Sequence, residues 1–407
     1  MTQPIKGMFR RFILLAAILT LVISVCATAF AAGGTVTISQ EDYELLQQYK
    51  HQEEVRQIIA QMYYKDVDPD ELSVGAMRGL FTPLEDPYSF YYSVDDMKSM
   101  NEQLSGDYKG IGVQILANAV DNSLTIVRVF PDSPAEAVGI RSGDKIIQVD
   151  DLPVTAFEMN QAVEIMRGGP AGTTVEVKIK RGEEEIPFTV TRGDIHMNNV
   201  ESVMFDNDIG YIRLYSFEGT MAREYADALV SLQAEGMAAL ILDLRDNPGG
   251  LTDYAERVAN TFLTDELIYS TRDRYGLEVS YFADGQPIGV PVVVLCNGNS
   301  ASASEIIIGA LQDHGTATII GVKTFGKGII QSVYEFPQGD GMQVTSQQYF
   351  TPSGAAIHGV GIEPDIEVVL NEDAIDENTL LDRSKDNQLD AAIEYLTPLV
   401  VDKDAAA

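Results

Sequence analysis

Histidine, cysteine and basic side chains are scarce in this sequence. Four histidines are spread over 407 residues, so a nucleophilic serine would have few imidazoles to activate it. Cysteine occurs twice, at Cys26 and Cys296. Cys26 lies in an apolar N-terminal run, so a chain cleaved after that run keeps a single cysteine. That excludes a disulfide framework and leaves cysteine ligation of a metal without support. Lysine and arginine total 28 against 61 aspartates and glutamates, a formal net charge of −33. So acidic a surface repels nucleic acid and anionic membranes, and argues against both as binding partners. The remaining composition, 45% hydrophobic and 22% charged, is that of a globular protein long enough for two or three domains.

The apolar run is FILLAAILTLVISVCATAFAA, preceded by Lys6, Arg10 and Arg11. A basic segment, an apolar stretch and an A-x-A sequence at Ala29-Phe30-Ala31 together read as a secretory signal. Left uncut, the run is long enough to span a bilayer, for which roughly 20 residues suffice. Residues 1–32 are therefore a signal peptide or a membrane anchor, and either places the rest of the chain outside the cytoplasm.

Residues 40–104 read as helical. Val55, Ile58, Ile59 and Met62 fall at i, i+3, i+4 and i+7, an amphipathic face that covers the core or pairs two subunits. The region ends in LEDPYSFYYS (84–93), where Pro87 and the tyrosines predict a packed turn. Residues 105–193 change to short strands with two short helices, PDSPAEAVG and FEMNQAVEIMR, a compact α+β module. Residues 194–370 alternate strand and helix. AALILDLR (238–245) and PVVVLCN (291–297) are unbroken apolar strands of the kind covered on both faces. EIIIGALQDHG connects PVVVLCN to TATIIGV, a βαβ unit. The tail, 371–407, is acidic apart from one helical stripe of Leu389, Ala392, Ile393 and Leu396.

Three serines, Ser300, Ser302 and Ser304, alternate with alanines between that strand and its helix. Ser302 stands three residues before Glu305, the spacing of a capping box. The same position also suits a nucleophile, because the N–H groups at a helix N-terminus favour a developing oxyanion. A serine hydroxyl needs a base. His314 is 12 residues along the same helix, hence about 18 Å away and out of reach. His51, His196 and His358 sit in no recognisable local signature. TFGKGIIQ (324–331) offers Lys327 between two glycines in an otherwise apolar stretch. Desolvation there would lower its proton affinity, as a general base requires, though a glycine-flanked lysine in a surface turn fits the same letters. Gln331, four residues on, could orient the lysine if the chain bends at Gly328.

SASASEI followed by FGKGIIQ, with Ser302 and Lys327 25 residues apart, resembles the carboxy-terminal processing (tail-specific) proteases. LEDPYSFY, LRDNPGGL (244–251) and YFTPSGAAIHGVGIEPD (349–365) carry the same resemblance, which covers roughly residues 40–396. It implies a multidomain α/β and α+β protein: an N-terminal helical segment, a PDZ domain, and a crotonase/ClpP-like α/β serine protease core. It assigns Ser302 as nucleophile, Lys327 as general base and Gln331 as its orienting partner. The DNPGG turn would supply an oxyanion-hole N–H from Gly250, with Gly249 as the alternative, beside that of Ala303. The module at 105–193 is similar to a PDZ domain, with Gly110, Ile111, Gly112 and Val113 as its carboxylate-binding loop. Ala162, Val163 and Met166 on the facing helix would favour an apolar C-terminal residue. Arg167 matches the relatives' peptide-sensing arginine in its Arg-Gly pair only. No metal or cofactor is implied, and a homodimer is. The expected function is an extracytoplasmic serine endopeptidase that recognises protein C-termini. The alternatives are a catalytically silent PDZ scaffold and a hydrolase of small esters or amides.

Overall fold

A computed structural model describes residues 36–118, 121–375 and 381–404. The leader or anchor expected at residues 1–32 lies outside them. Among the described residues, no helix is long and apolar enough to cross a membrane. The chain divides into two compact units that meet in sequence between Leu80 and Phe81.

The first unit contains helix α1 (Gln40–Met62), opened by Ser39 accepting the Asp42 N–H at 3.0 Å, and α2 (Pro69–Gly79), opened by Asp68 with proline in its first turn. No residue of α1 is buried, and Val55, Ile58, Ile59 and Met62 are all exposed. The apolar face read from the sequence is present but covers no core. Periodicity identifies a face and leaves open what packs on it.

The second unit begins with the DPYS turn, strand β1 (Phe90–Tyr92) and helix α3 (Val94–Ser105), which ends on Gly106 in the left-handed conformation. Strand β2 (Asp107–Gly110) leads into the α+β module. Its sheet is built from β3 (Val113–Asn118), β4 (Ser123–Val129), β5 (Lys145–Val149), β6 (Leu152–Pro153), β7 (Thr174–Arg181) and β8 (Glu184–Thr191). The order is β3-β4-β5-β7-β8, with β6 paired to β5, so β3 is an edge strand open to an added chain. Helices α4 (Pro134–Val138) and α5 (Met159–Arg167) complete the module. Leu124, Ile126, Ile146, Val177 and Ile179 form its core with Ala162 and Met166 of α5. Strand β9 (Gly193–His196) pairs back with β2 and closes it.

The remaining elements form the α/β core: β10 (Val200–Met204), β11 (Ile209–Leu214), α6 (Met221–Ala234), β12 (Ala239–Asp243), α7 (Thr252–Ala259), β13 (Thr264–Asp273), β14 (Glu278–Asp284), β15 (Val292–Cys296), α8 (Ala303–Asp313), β16 (Thr318–Gly321), β17 (Ile329–Glu335), β18 (Gly341–Phe350), β19 (Ile366–Glu367) and α9 (Asn387–Asp404). The central sheet runs β10-β11-β12-β15-β16-β19, parallel throughout except for β10. Every residue of β12 and β15 is buried, and their side chains alternate between two cores. Leu240, Leu242, Val292 and Val294 face α6, α7 and α8, whereas Ile241, Val293 and Leu295 face Leu389, Ala392 and Leu396 of α9. The tail stripe is thus the cover of the sheet's second face. Beneath it Arg245, 3% exposed, binds Asp243 and Asp386 and donates to Gln388 at 3.0 Å. A second, antiparallel sheet runs β1-β18-β13-β14, with β17 also paired to β18.

Candidate active site

Strand β15 ends at Cys296, and the chain turns through residues 297–302 into α8. That turn separates the three serines. Ser300 is fully buried, donates its hydroxyl to the Leu244 carbonyl at 2.7 Å and accepts the Asn297 N–H. Ser304 is also buried and donates to the Asn247 carbonyl at 3.0 Å. Ser302 alone is partly exposed; among the described residues its hydroxyl donates to no backbone carbonyl, and its side chain forms a capping box with Glu305 at the start of α8. Its backbone sits at φ 57° and ψ −115°, a strained conformation for a non-glycine residue that aims the side chain out of the turn. The Tyr349 hydroxyl donates to the Ser302 carbonyl at 3.0 Å and helps to fix it.

Glu305 binds this turn to the lysine loop. It is fully buried, and its two oxygens accept four hydrogen bonds: from the Ser302 N–H at 2.9 Å, the Lys327 N–H at 2.8 Å, the Gly326 N–H at 2.7 Å and the Thr324 hydroxyl at 2.6 Å. The sequence presented Glu305 as a helix cap. Its bonds to residues 324–327 depend on the fold bringing that loop over the start of α8.

The Lys327 side chain is half-buried. Burial pushes its ammonium below the ordinary lysine range, and the carboxylates of Asp86 and Glu305 partly offset that. Nζ lies 4.7 Å from the centroid of the Tyr88 ring. Among the described residues no hydrogen bond joins Nζ to Ser302 Oγ. Gln331 is not joined to the lysine either: its amide donates to Thr345 Oγ1 on the neighbouring strand at 3.2 Å. The β17–β18 pair carries a register shift between Ile330 and Gln331.

The DNPGG turn lies directly against the serine. A Cβ on Gly249 would come within 2.7 Å of both the Ala301 carbonyl oxygen and Ser302 Cβ, and its φ of 101° also demands glycine. The Gly249 N–H is occupied by the Asn247 side chain at 2.9 Å. Among the described residues, the N–H groups of Gly250 and Ala303 have no acceptor.

In the α+β module, Gly112 has φ 85°, and a Cβ there would meet Ser133 Cβ at 2.3 Å. The carbonyls of Ile111 and Gly112 accept from Ala135 and Phe130, whereas their N–H groups have no acceptor among the described residues. Of the three apolar residues assigned to the groove, Ala162 and Met166 are spent on the module's own core and Val163 is half-exposed. Arg167 is ion-paired with Glu102 on α3, its guanidinium 4.8 Å over the Tyr108 ring. Arg128 on β4 stacks 3.7 Å over the Tyr215 ring and donates to the Asn198 carbonyl at 2.6 Å, docking the module on the core.

Comparison with known proteins agrees with this architecture. Residues 208–368 match peptidase family S41, residues 125–181 match a PDZ domain, and residues 28–96 match the N-terminal domain of the activating protease CtpB. A probable CtpA-like serine protease of Staphylococcus haemolyticus is 36% identical over 90% of this chain and 74% of its own length. A carboxyl-terminal-processing protease of a Picosynechococcus strain is 38% identical over 84% of this chain and 83% of its own. Among solved structures, the photosystem II D1 C-terminal processing protease is 28% identical over 78% of this chain and 86% of its own, with a TM-score of 0.51. The chain is a PDZ-containing serine-type peptidase and belongs to the carboxyl-terminal-processing proteases of family S41.

Proposed function

We propose that this protein is an extracytoplasmic endopeptidase that selects substrates by their free C-termini and cleaves them with a Ser302–Lys327 pair. One observation supports the reading: Ser302 is the serine of the three that is partly exposed, strained at the start of α8 and donating its hydroxyl to no carbonyl, and Glu305 ties its backbone to that of Lys327. Neutral Lys327 takes the proton as Ser302 Oγ attacks the substrate carbonyl carbon. The N–H groups of Gly250 and Ala303 receive the oxyanion. Gly249 serves as the packing contact, since its own N–H is already engaged. Protonated Lys327 returns the proton to the leaving amine and an acyl-enzyme remains. Water then attacks the ester, loses its proton to the lysine, and Ser302 is released. Gln331 orients the lysine once it leaves Thr345.

The loop Gly110-Ile111-Gly112-Val113 captures the terminal carboxylate on its unengaged N–H groups, while the substrate adds as a strand to β3. An unstructured protein ending in free Leu-Ala-Ala is expected to be cut preferentially over its amidated twin. Equal cleavage of the two would defeat this part of the reading.

Arg167 is the sensor in this scheme, held by Glu102 until peptide binds. Arg167→Ala is expected to leave the melting temperature nearly unchanged and abolish stimulation by a free C-terminal peptide. Persistent stimulation would remove Arg167 from the role. The exposed apolar face of α1 is assigned to a second copy of this chain. Light scattering is expected to give a dimer mass for the wild type and a monomer mass for Ile58→Asp; a monomeric wild type would count against the assignment. Residues 1–32 would direct export or anchor the chain, and Edman sequencing of the mature N-terminus distinguishes the two.

A further inference from the structure

We infer that Tyr88 is a positioning residue for Lys327: its ring face docks the ammonium in the resting site, and the lysine must leave that face to reach Ser302. The inference rests on the reading of Lys327 as the base. The DPYS turn is built as a fixed strap. The Tyr88 N–H donates to Asp86 Oδ1 at 2.9 Å, and its carbonyl accepts from the Gln343 side chain at 3.0 Å. The Ser89 hydroxyl donates to Asp86 Oδ2 at 2.6 Å and accepts the Thr345 N–H at 2.9 Å. Phe90, Tyr91 and Tyr92 then pair in register with Gln343, Met342 and Gly341. The backbone that carries the ring is therefore held by these bonds and by the strand that follows, and the four-carbon stem of Lys327 is the part free to move.

An aromatic face attracts an ammonium and gives a neutral amine nothing comparable. At 4.7 Å from the centroid, Tyr88 thus favours the one form of the lysine that is useless as a base. The other charged groups facing Lys327 are Asp86 and Glu305, with His358 acting on Asp86. Asp86 accepts from the Tyr88 N–H and the Ser89 hydroxyl, and Glu305 from Ser302 and the 324–327 loop; among the described residues no ion pair joins either carboxylate to Nζ, and the ring is the close partner recorded for the ammonium. The strap also bears on Gln331, because Thr345, which takes the Gln331 amide on its side chain, has its N–H bound to Ser89.

The test uses the full-length protein and a fluorophosphonate probe, which reports serine reactivity without engaging the PDZ domain. Tyr88→Leu is expected to label roughly three- to tenfold faster than wild type at pH 7, with the midpoint of the pH–rate profile moved towards acid. Tyr88→Phe, which keeps the ring, should restore the wild-type midpoint. Slower labelling by Tyr88→Leu, an unmoved midpoint, or Tyr88→Phe behaving like Tyr88→Leu would overturn the inference. If Tyr88→Leu fails to fold, lysine labelled with 13C at Cε gives a second reading in the wild type. The Lys327 resonance, assigned by its absence from Lys327→Arg, should be ring-shifted upfield, and an ordinary shift would overturn the inference equally. Lys327→Ala labelling as fast as wild type defeats the Ser/Lys reading itself. A silent Lys327→Ala beside an unaltered Tyr88→Leu defeats the Tyr88 inference alone.

Discussion

Lys327→Ala is expected to lower turnover of a free-ended protein substrate by about three orders of magnitude or more, and Ser302→Ala to abolish both turnover and covalent labelling. The size of the effect follows from the scarcity of substitutes. Ser300 and Ser304 are buried and donate to Leu244 and Asn247, so neither can replace the nucleophile. His314 is engaged with the Leu267 carbonyl at 2.8 Å on the far end of α8. The lysine also sets the pH dependence. Its ammonium is inactive as a base, so kcat/KM should rise with pH through the lysine's titration. Burial lowers that limb below the ordinary lysine range, with Asp86 and Glu305 restraining the shift. A flat profile across this limb, or a Lys327→Ala enzyme with wild-type turnover, would remove Lys327 from the mechanism.

The second large effect belongs to a residue that touches no substrate. Glu305→Ala would strip four donors of their common acceptor: the buried Gly326 N–H and Thr324 hydroxyl and the partly buried N–H groups of Ser302 and Lys327. An unsatisfied buried donor costs about 1–3 kcal/mol, so a loss of about 3 kcal/mol or more in unfolding free energy is expected after partial relaxation. Activity should fall further than stability. The serine turn and the lysine loop would no longer share an anchor, and a misplacement of about 1 Å can cost a hundredfold. Glu305→Gln separates the two effects. It keeps the volume but turns one acceptor oxygen into a donor facing N–H groups, so turnover should drop by roughly a hundredfold with a smaller change in melting. Urea denaturation paired with steady-state kinetics makes the check. Wild-type kinetics in Glu305→Gln would mean that the shared anchor is irrelevant to catalysis.

Much of the fold could be read from local pattern. Uniform burial of β12 and β15 follows from their unbroken apolar runs, and the stripe at Leu389, Ala392 and Leu396 does cover a sheet face. What sequence could not supply was long-range partnership. β1 pairs with β18 some 250 positions away, and only that register brings Tyr88 to Lys327. Gln331 looked like a neighbour of Lys327 because both lie on one short segment, yet its amide bonds across the sheet to Thr345. The choice among three serines shows the same limit. Alternating Ser-Ala letters are locally equivalent, and they become different only when the carbonyls of Leu244 and Asn247 arrive from the turn after β12. For α1 the periodicity marked an apolar face but left open what covers it, and Val55, Ile58, Ile59 and Met62 are exposed.

The Arg245 cluster bears on the order in which the molecule can be completed. Arg245 and Asp243 sit immediately before the DNPGG turn, and the acceptors that complete their buried network, Asp386 and Gln388, come more than 140 positions later. An arginine buried with half its partners missing is costly, so the seat of the turn is finished only when α9 and the Asp386 turn before it dock. During synthesis the serine and lysine motifs emerge well before that helix does. The nascent chain therefore carries the chemistry without a settled site, and a segment made more than 140 positions after Arg245 is the one that finishes it.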